Sequence, residues 1–82
     1  MTKELDHMIQ RFPTHRGKIV ELYKLNYNFR SLCEDYWISV QVLINRRKNS
    51  TPESFQVKEY ESICLLLEKD VMGYITEKPL TQ

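Results

Sequence analysis

The residues of this chain that can do chemistry are few and far apart. The imidazoles are His7 and His15, and the thiols are Cys33 and Cys64. Metal ligation calls for close pairs such as C-x-x-C or H-x-x-x-H, in which a short stretch of backbone holds several donors on one ion, and the chain has neither. No metal and no cofactor is expected. Cys33 with His15 is the one conceivable nucleophile–base pair, but nothing supplies an oxyanion hole or an orienting third group, so no catalytic residue is assigned. Glu34 and Asp35 are adjacent, about 100° apart around a helix, and cannot face each other as an acid/base pair. There is no Gly-rich phosphate loop and no G-x-S-x-G. The bland reading accounts for these groups. The histidines face solvent or bond locally, the cysteines are reduced, buried small hydrophobes, and Asp35 reaches Arg16 in a structural ion pair that pins a short helix onto a long one.

Arg46, Arg47 and Lys48 form the one basic cluster. No aromatics interleave with it, and acidic Glu53, Glu59 and Glu61 follow, so it reads as a helix C-terminus and a solubility feature rather than an RNA site. Lys plus Arg total 12 against 11 Asp plus Glu, a net charge of +1, which leaves no basic excess to exchange for nucleic-acid counterions. The longest apolar run, Ile63 to Leu67, is far short of the ~20 residues of a membrane span, and the first residues lack an apolar signal core. The expectation is a cytoplasmic protein with no nucleic-acid or membrane partner.

The elements that position these groups are helical. The chain has 82 residues, enough for one small domain, with 41% hydrophobic residues and no alanine, so its helices depend on burying large side chains. Leu5, Met8, Ile9 and Phe12 share one helical face, and Pro13 ends that helix near Arg11. Pro13 suits the first turn of a second helix carrying Ile19, Leu22 and Tyr23 inward, weakened by Gly17. Asn26 is the N-cap expected for a third, longer helix with Phe29, Leu32, Cys33, Tyr36, Val40 and Leu43 inward. Tyr36, Ile38, Val40, Val42 and Ile44 alternate as a strand would, but helical spacing continues on both sides of them without a turn signal. Ser50 with Glu53, or Thr51 before Pro52, caps a fourth helix whose Val57, Tyr60, Cys64, Leu67, Val71 and Tyr74 form a heptad seam; Gly73 marks fraying and Pro79 a stop.

The expected fold is all-α: an antiparallel hairpin of two long helices, about 27–48 and 52–76, with two short helices, about 2–11 and 13–25, packed on it. Beyond its seam the hairpin carries Trp37, Ile38, Val42, Ile44, Ile63, Leu65, Leu66 and Met72, which makes its middle apolar nearly all round. Two short helices cover one face at most. The remainder predicts an interface, with Trp37 as anchor, through which the chain forms a dimer or tetramer as a four-helix bundle, or receives a helix of another protein.

Arg11-Phe12-Pro13-Thr14-His15-Arg16, Ile19, Leu22, Asn26, Phe29-Arg30-Ser31-Leu32-Cys33-Glu34-Asp35-Tyr36 and later Glu59-Tyr60 resemble short bacterial proteins of unknown function. The Phe-Pro-x-x-Arg-x-x-Ile-x-x-Leu opening and Phe-x-x-Leu are similar to the YdcH-like family of small helical hairpins. The resemblance spans residues 11 to about 48, and the last helix by hydrophobic layout alone. It implies a cytoplasmic bacterial hairpin with no catalytic residues to carry over. Where YdcH-like proteins have a polar stretch with acids and histidine at mid-hairpin, this chain has Val40-Gln41-Val42, which favours a dry packed interface.

Overall fold

A computed structural model describes residues 2–49, 51 and 54–76. Among these the chain forms four α-helices and no strand: α1 (Lys3–Arg11), α2 (Arg16–Leu25), α3 (Tyr27–Asn49) and α4 (Phe55–Thr76), with a 3-10 turn at Pro13–His15. The fold is all-α, built on the α3–α4 hairpin with α1 and α2 packed against α3.

Each helix start has a local cause. Thr2 caps α1, its Oγ1 accepting from the Leu5 N–H at 3.2 Å. Phe12 leaves the helical region ahead of Pro13, as the pre-proline clash requires. The chain then tightens through the 3-10 turn, so α2 starts at Arg16 rather than at Pro13. The expected Asn26 cap is present: its Oδ1 accepts from the Phe29 N–H at 3.0 Å. Arg30, one turn later, donates to the Tyr23 and Lys24 carbonyls at 3.1 and 3.3 Å, covering the otherwise unpaired end of α2.

Two further expectations are corrected. The cap of α4 is Ser54, whose Oγ accepts from the Val57 N–H at 3.2 Å, so the helix starts at Phe55 and not near 52. Ser50, Pro52 and Glu53 lie outside the described residues, as does Pro79. α4 also runs through Gly73 to Thr76 without a break. Gly73 is exposed, and a Cβ built on it meets nothing within 4 Å. Gly73→Ala therefore stabilises the protein by about 1 kcal/mol through backbone entropy alone, read as a Tm higher by roughly 4–8 °C. An unchanged Tm would mean that the end of α4 is not helical in solution.

The core lies where the hairpin seam meets α1 and α2. Met8, Ile19, Phe29, Cys33, Val57 and Val71 are fully buried, with Leu5, Tyr36, Leu43, Cys64 and Ile75 close behind. Tyr60, Leu67 and Tyr74 pack against them at the seam edge. Ser39 is buried as well, a position hydropathy does not mark. The register is set by Arg46 Nη1 on Gln56 Oε1 (2.6 Å) near the turn, Tyr36 on Glu68 midway, and the edge-on Phe29–Tyr74 ring pair (5.6 Å) at the open end.

Candidate interaction surface

α1 holds the hairpin through a polar cluster at mid-length. Tyr36, 3% exposed, donates its phenolic proton to Glu68 Oε2 at 2.5 Å. Arg11 grips the same carboxylate with both arms of its fork, Nη2 to Oε1 at 2.9 Å and Nε to Oε2 at 3.2 Å. Burial works to raise the Glu68 pKa, but the hydrogen bonds from Arg11 and Tyr36 outweigh it and hold the group below the ordinary 4.5. The Tyr36 hydroxyl is pushed above 10 by burial first and then by bonding to the carboxylate. At the other end of α1, the Tyr23 hydroxyl meets Thr2 Oγ1 and donates to Glu4 Oε2, both at 3.0 Å.

The expected ion pair between Arg16 and Asp35 does not form. Both side chains are exposed, and the ion pairs among the described residues are Arg11–Glu68 and Arg47–Glu61. The arginine that does pair is Arg11, at the end of α1, which reaches Glu68 of α4 and so ties α1 rather than α2 to the hairpin. His7 also departs from the expectation of a solvent-facing or locally bonded ring. It packs 5.5 Å from the Tyr36 ring and 5.4 Å from Trp37, and its Nε2 is buried with no partner.

Both cysteines are buried free thiols. Burial pushes Cys33 up to about 12 and raises Cys64 as well, the opposite of the activation a thiolate nucleophile needs. No group of three or more His, Cys, Asp or Glu among the described residues is placed to hold a metal ion. The basic cluster serves the hairpin: Arg46 lies 5.9 Å over the Tyr60 ring, and Arg47 pairs with Glu61 at 2.9 Å.

The eight surplus apolar residues divide into two sets. Trp37, Val42, Ile63 and Met72 are half-buried, Trp37 beneath α1 and Met72 against the core. Trp37 thus serves an internal contact rather than standing open as an anchor. Leu65 (65%), Leu66 (61%), Ile38 (58%) and Ile44 (41%) are exposed.

The reason is length. α1 has nine residues and covers about 13 Å, whereas the 23 residues of α3 extend about 35 Å. Beyond Arg11 the chain turns away at Pro13, and the same face of the hairpin continues uncovered toward its turn. A groove of 310 Å³ opens there between the long helices, lined by Leu43, Arg47, Glu61, Cys64, Leu65 and Glu68. Ile44 lies seven residues after Trp37, which α1 touches, and so projects on this same side. The result is a shelf of Ile44 and Leu65 over a floor of Leu43 and Cys64, closed at one end by Arg11–Glu68 and at the other by Arg47–Glu61. Ile38 and Leu66, each one residue from a residue on that face, turn about 100° onto the outer flanks.

No protein-family model, curated protein or solved structure matches the chain. Among the described residues no helix is long and apolar enough to cross a membrane.

Proposed function

We propose that the protein is a non-catalytic interaction module that associates with a second copy of itself through the uncovered hairpin face. The carrying observation is the shelf of Ile44 and Leu65 left open beyond α1, with Ile38 and Leu66 flanking it. An apolar centre between two ion pairs has the layout of an interface, dry in the middle and polar at the rim. A two-fold axis through the shelf sets the same side chains of two hairpins against each other and gives a four-helix bundle. On this reading the protein works in the cytoplasm and resembles YdcH-like helical hairpins in layout.

Burying the exposed part of Ile44 and Leu65 on each copy returns about 1 kcal/mol apiece, with the flanking Ile38 and Leu66 adding less at the rim. That total only reaches the lower end of the freedom lost on association. The assembly is therefore reversible and concentration-dependent.

Light scattering coupled to size exclusion, over a hundredfold range of concentration, tests it. The wild type shifts from monomer toward dimer or tetramer as concentration rises, whereas the Ile44→Glu/Leu65→Glu variant stays monomeric with unchanged helicity by circular dichroism. A wild type that is monomeric throughout overturns self-association and transfers the face to a helix of another protein.

A further inference from the structure

His7 is the half-buried titratable group that neither the core nor the shelf explains. Its ring is wedged between α1 and α3 against Tyr36 and Trp37, and its Nε2 has no hydrogen-bond partner. An imidazole so placed is accommodated as the neutral tautomer with its proton on Nδ1, because a proton on Nε2 would put an N–H where no acceptor waits. We propose that His7 is a pH-sensitive latch for α1: the neutral ring lets α1 dock on α3, and protonation loosens α1 and uncovers the α3 face around Tyr36 and Trp37.

The charges around the ring decide the direction. On its own helix, Arg11 is one turn ahead and Lys3 one turn behind, two cations at the i±4 positions, while Asp6 and Gln10 share the groove beside it with Lys3 and Trp37. From α3 it meets the uncharged Tyr36 and Trp37, whose ring faces would favour a cation modestly. From α4 comes Glu68, but that carboxylate is already engaged by the fork of Arg11 and the Tyr36 hydroxyl. Burial first, and Arg11 second, outweigh the attraction of Glu68 and lower the His7 pKa from 6.5. With the folded value below the unfolded one, the cost of docking α1 begins as pH falls below about 6.5 and is complete below the folded pKa. A nine-residue helix does not persist alone in water, so weaker docking means a larger undocked and unwound fraction of α1.

This device requires no partner and is independent of self-association. Amide hydrogen exchange of the full chain at pH 7.5 and 5.5, corrected for intrinsic exchange rates, reads it directly. α1 amides should open more at pH 5.5 than at pH 7.5, by a factor that cannot exceed about tenfold for a group with an unfolded pKa of 6.5, with seam amides of α3 and α4 unchanged. In His7→Phe, which keeps a neutral ring at all pH, the pH effect on α1 disappears. The proton titration of His7 in the wild type gives a second reading, with a midpoint expected below 6.5. Equal opening of α1 at both pH values, the same pH effect in His7→Phe, or a His7 midpoint at or above 6.5 overturns the latch.

Discussion

Phe29→Ala lowers the free energy of unfolding by about 3–5 kcal/mol, the largest effect expected of any single truncation in this chain. Phe29 has no exposed surface and meets the Tyr74 ring edge-on at 5.6 Å and 76°. It sits one turn from the Asn26 cap, where α3 begins and α4 ends, and holds the open end of the hairpin together. Cys33 and Leu32 follow on the same face of α3 and are held by the helix backbone, so the site cannot collapse to fill the space a benzyl group leaves. A domain of this length has roughly 4–12 kcal/mol of stability in total, and the variant forfeits a large share of it. Urea unfolding followed by far-ultraviolet circular dichroism gives the number. A loss under about 1.5 kcal/mol would mean that the hairpin end repacks around the smaller side chain, contrary to ordinary core behaviour.

The second large effect belongs to Glu68. Glu68→Ala removes the acceptor of the buried Tyr36 hydroxyl and the partner of Arg11, and it costs about 2 kcal/mol at neutral pH, most of it from the stranded hydroxyl. Arg11 adds little to that figure, since its side chain is 48% exposed and can return to water. Glu68→Gln keeps an acceptor but loses the charge, so it costs about half as much. A cycle with Tyr36→Phe isolates the pairwise term: if Glu68→Ala is as costly in the Tyr36→Phe background as in the wild type, the hydroxyl–carboxylate bond contributes nothing.

The same group sets the acid limit of the fold. Because the folded pKa of Glu68 lies below the unfolded 4.5, its contribution is in place above about 4.5 and is lost as pH falls through the folded value. Stability measured from pH 6 to pH 2 drops across that window in the wild type and drops less in Glu68→Gln. The His7 window lies higher, beginning near 6.5, so the two groups separate on the pH axis: α1 loosens first, and the hairpin loses its clamp later.

The residues differ in how far their roles were legible beforehand. Spacing alone turns Phe29, Cys33, Tyr36, Val57, Cys64 and Val71 inward, and all are buried. Asn26 was assigned as a cap from its type and place, and it caps. Ser54 is hidden in the sequence because Ser50, Thr51, Pro52 and Glu53 carry stronger start signals a few residues upstream, yet it is Ser54 that reaches the Val57 N–H. His7 gave no sign of burial, since a lone imidazole beside Asp6 and Lys3 has the composition of a solvated turn. Arg16 and Asp35 were matched as plausible charges on neighbouring helices. The pair that forms, Arg11 with Glu68, joins residues 57 apart in sequence and carries no local signal at all.

Helical periodicity, cap chemistry and the proline before α2 are properties of a few consecutive residues. They follow from backbone sterics and from the burial of one face, and so the sequence by itself determined that this chain is all-α, where its long helices run and which stripe of each turns inward. Which helix lies over which, and for how far, depends on the meeting of surfaces from separate elements. The tertiary structure alone decided that α1 docks on the hairpin with His7 beneath it, that Arg11 rather than Arg16 finds a carboxylate, and that Trp37 is half-buried while Ile44 and Leu65 stay exposed. The physical reason is length: a helix of nine residues cannot cover one of 23, and the apolar surface beyond its end stays open.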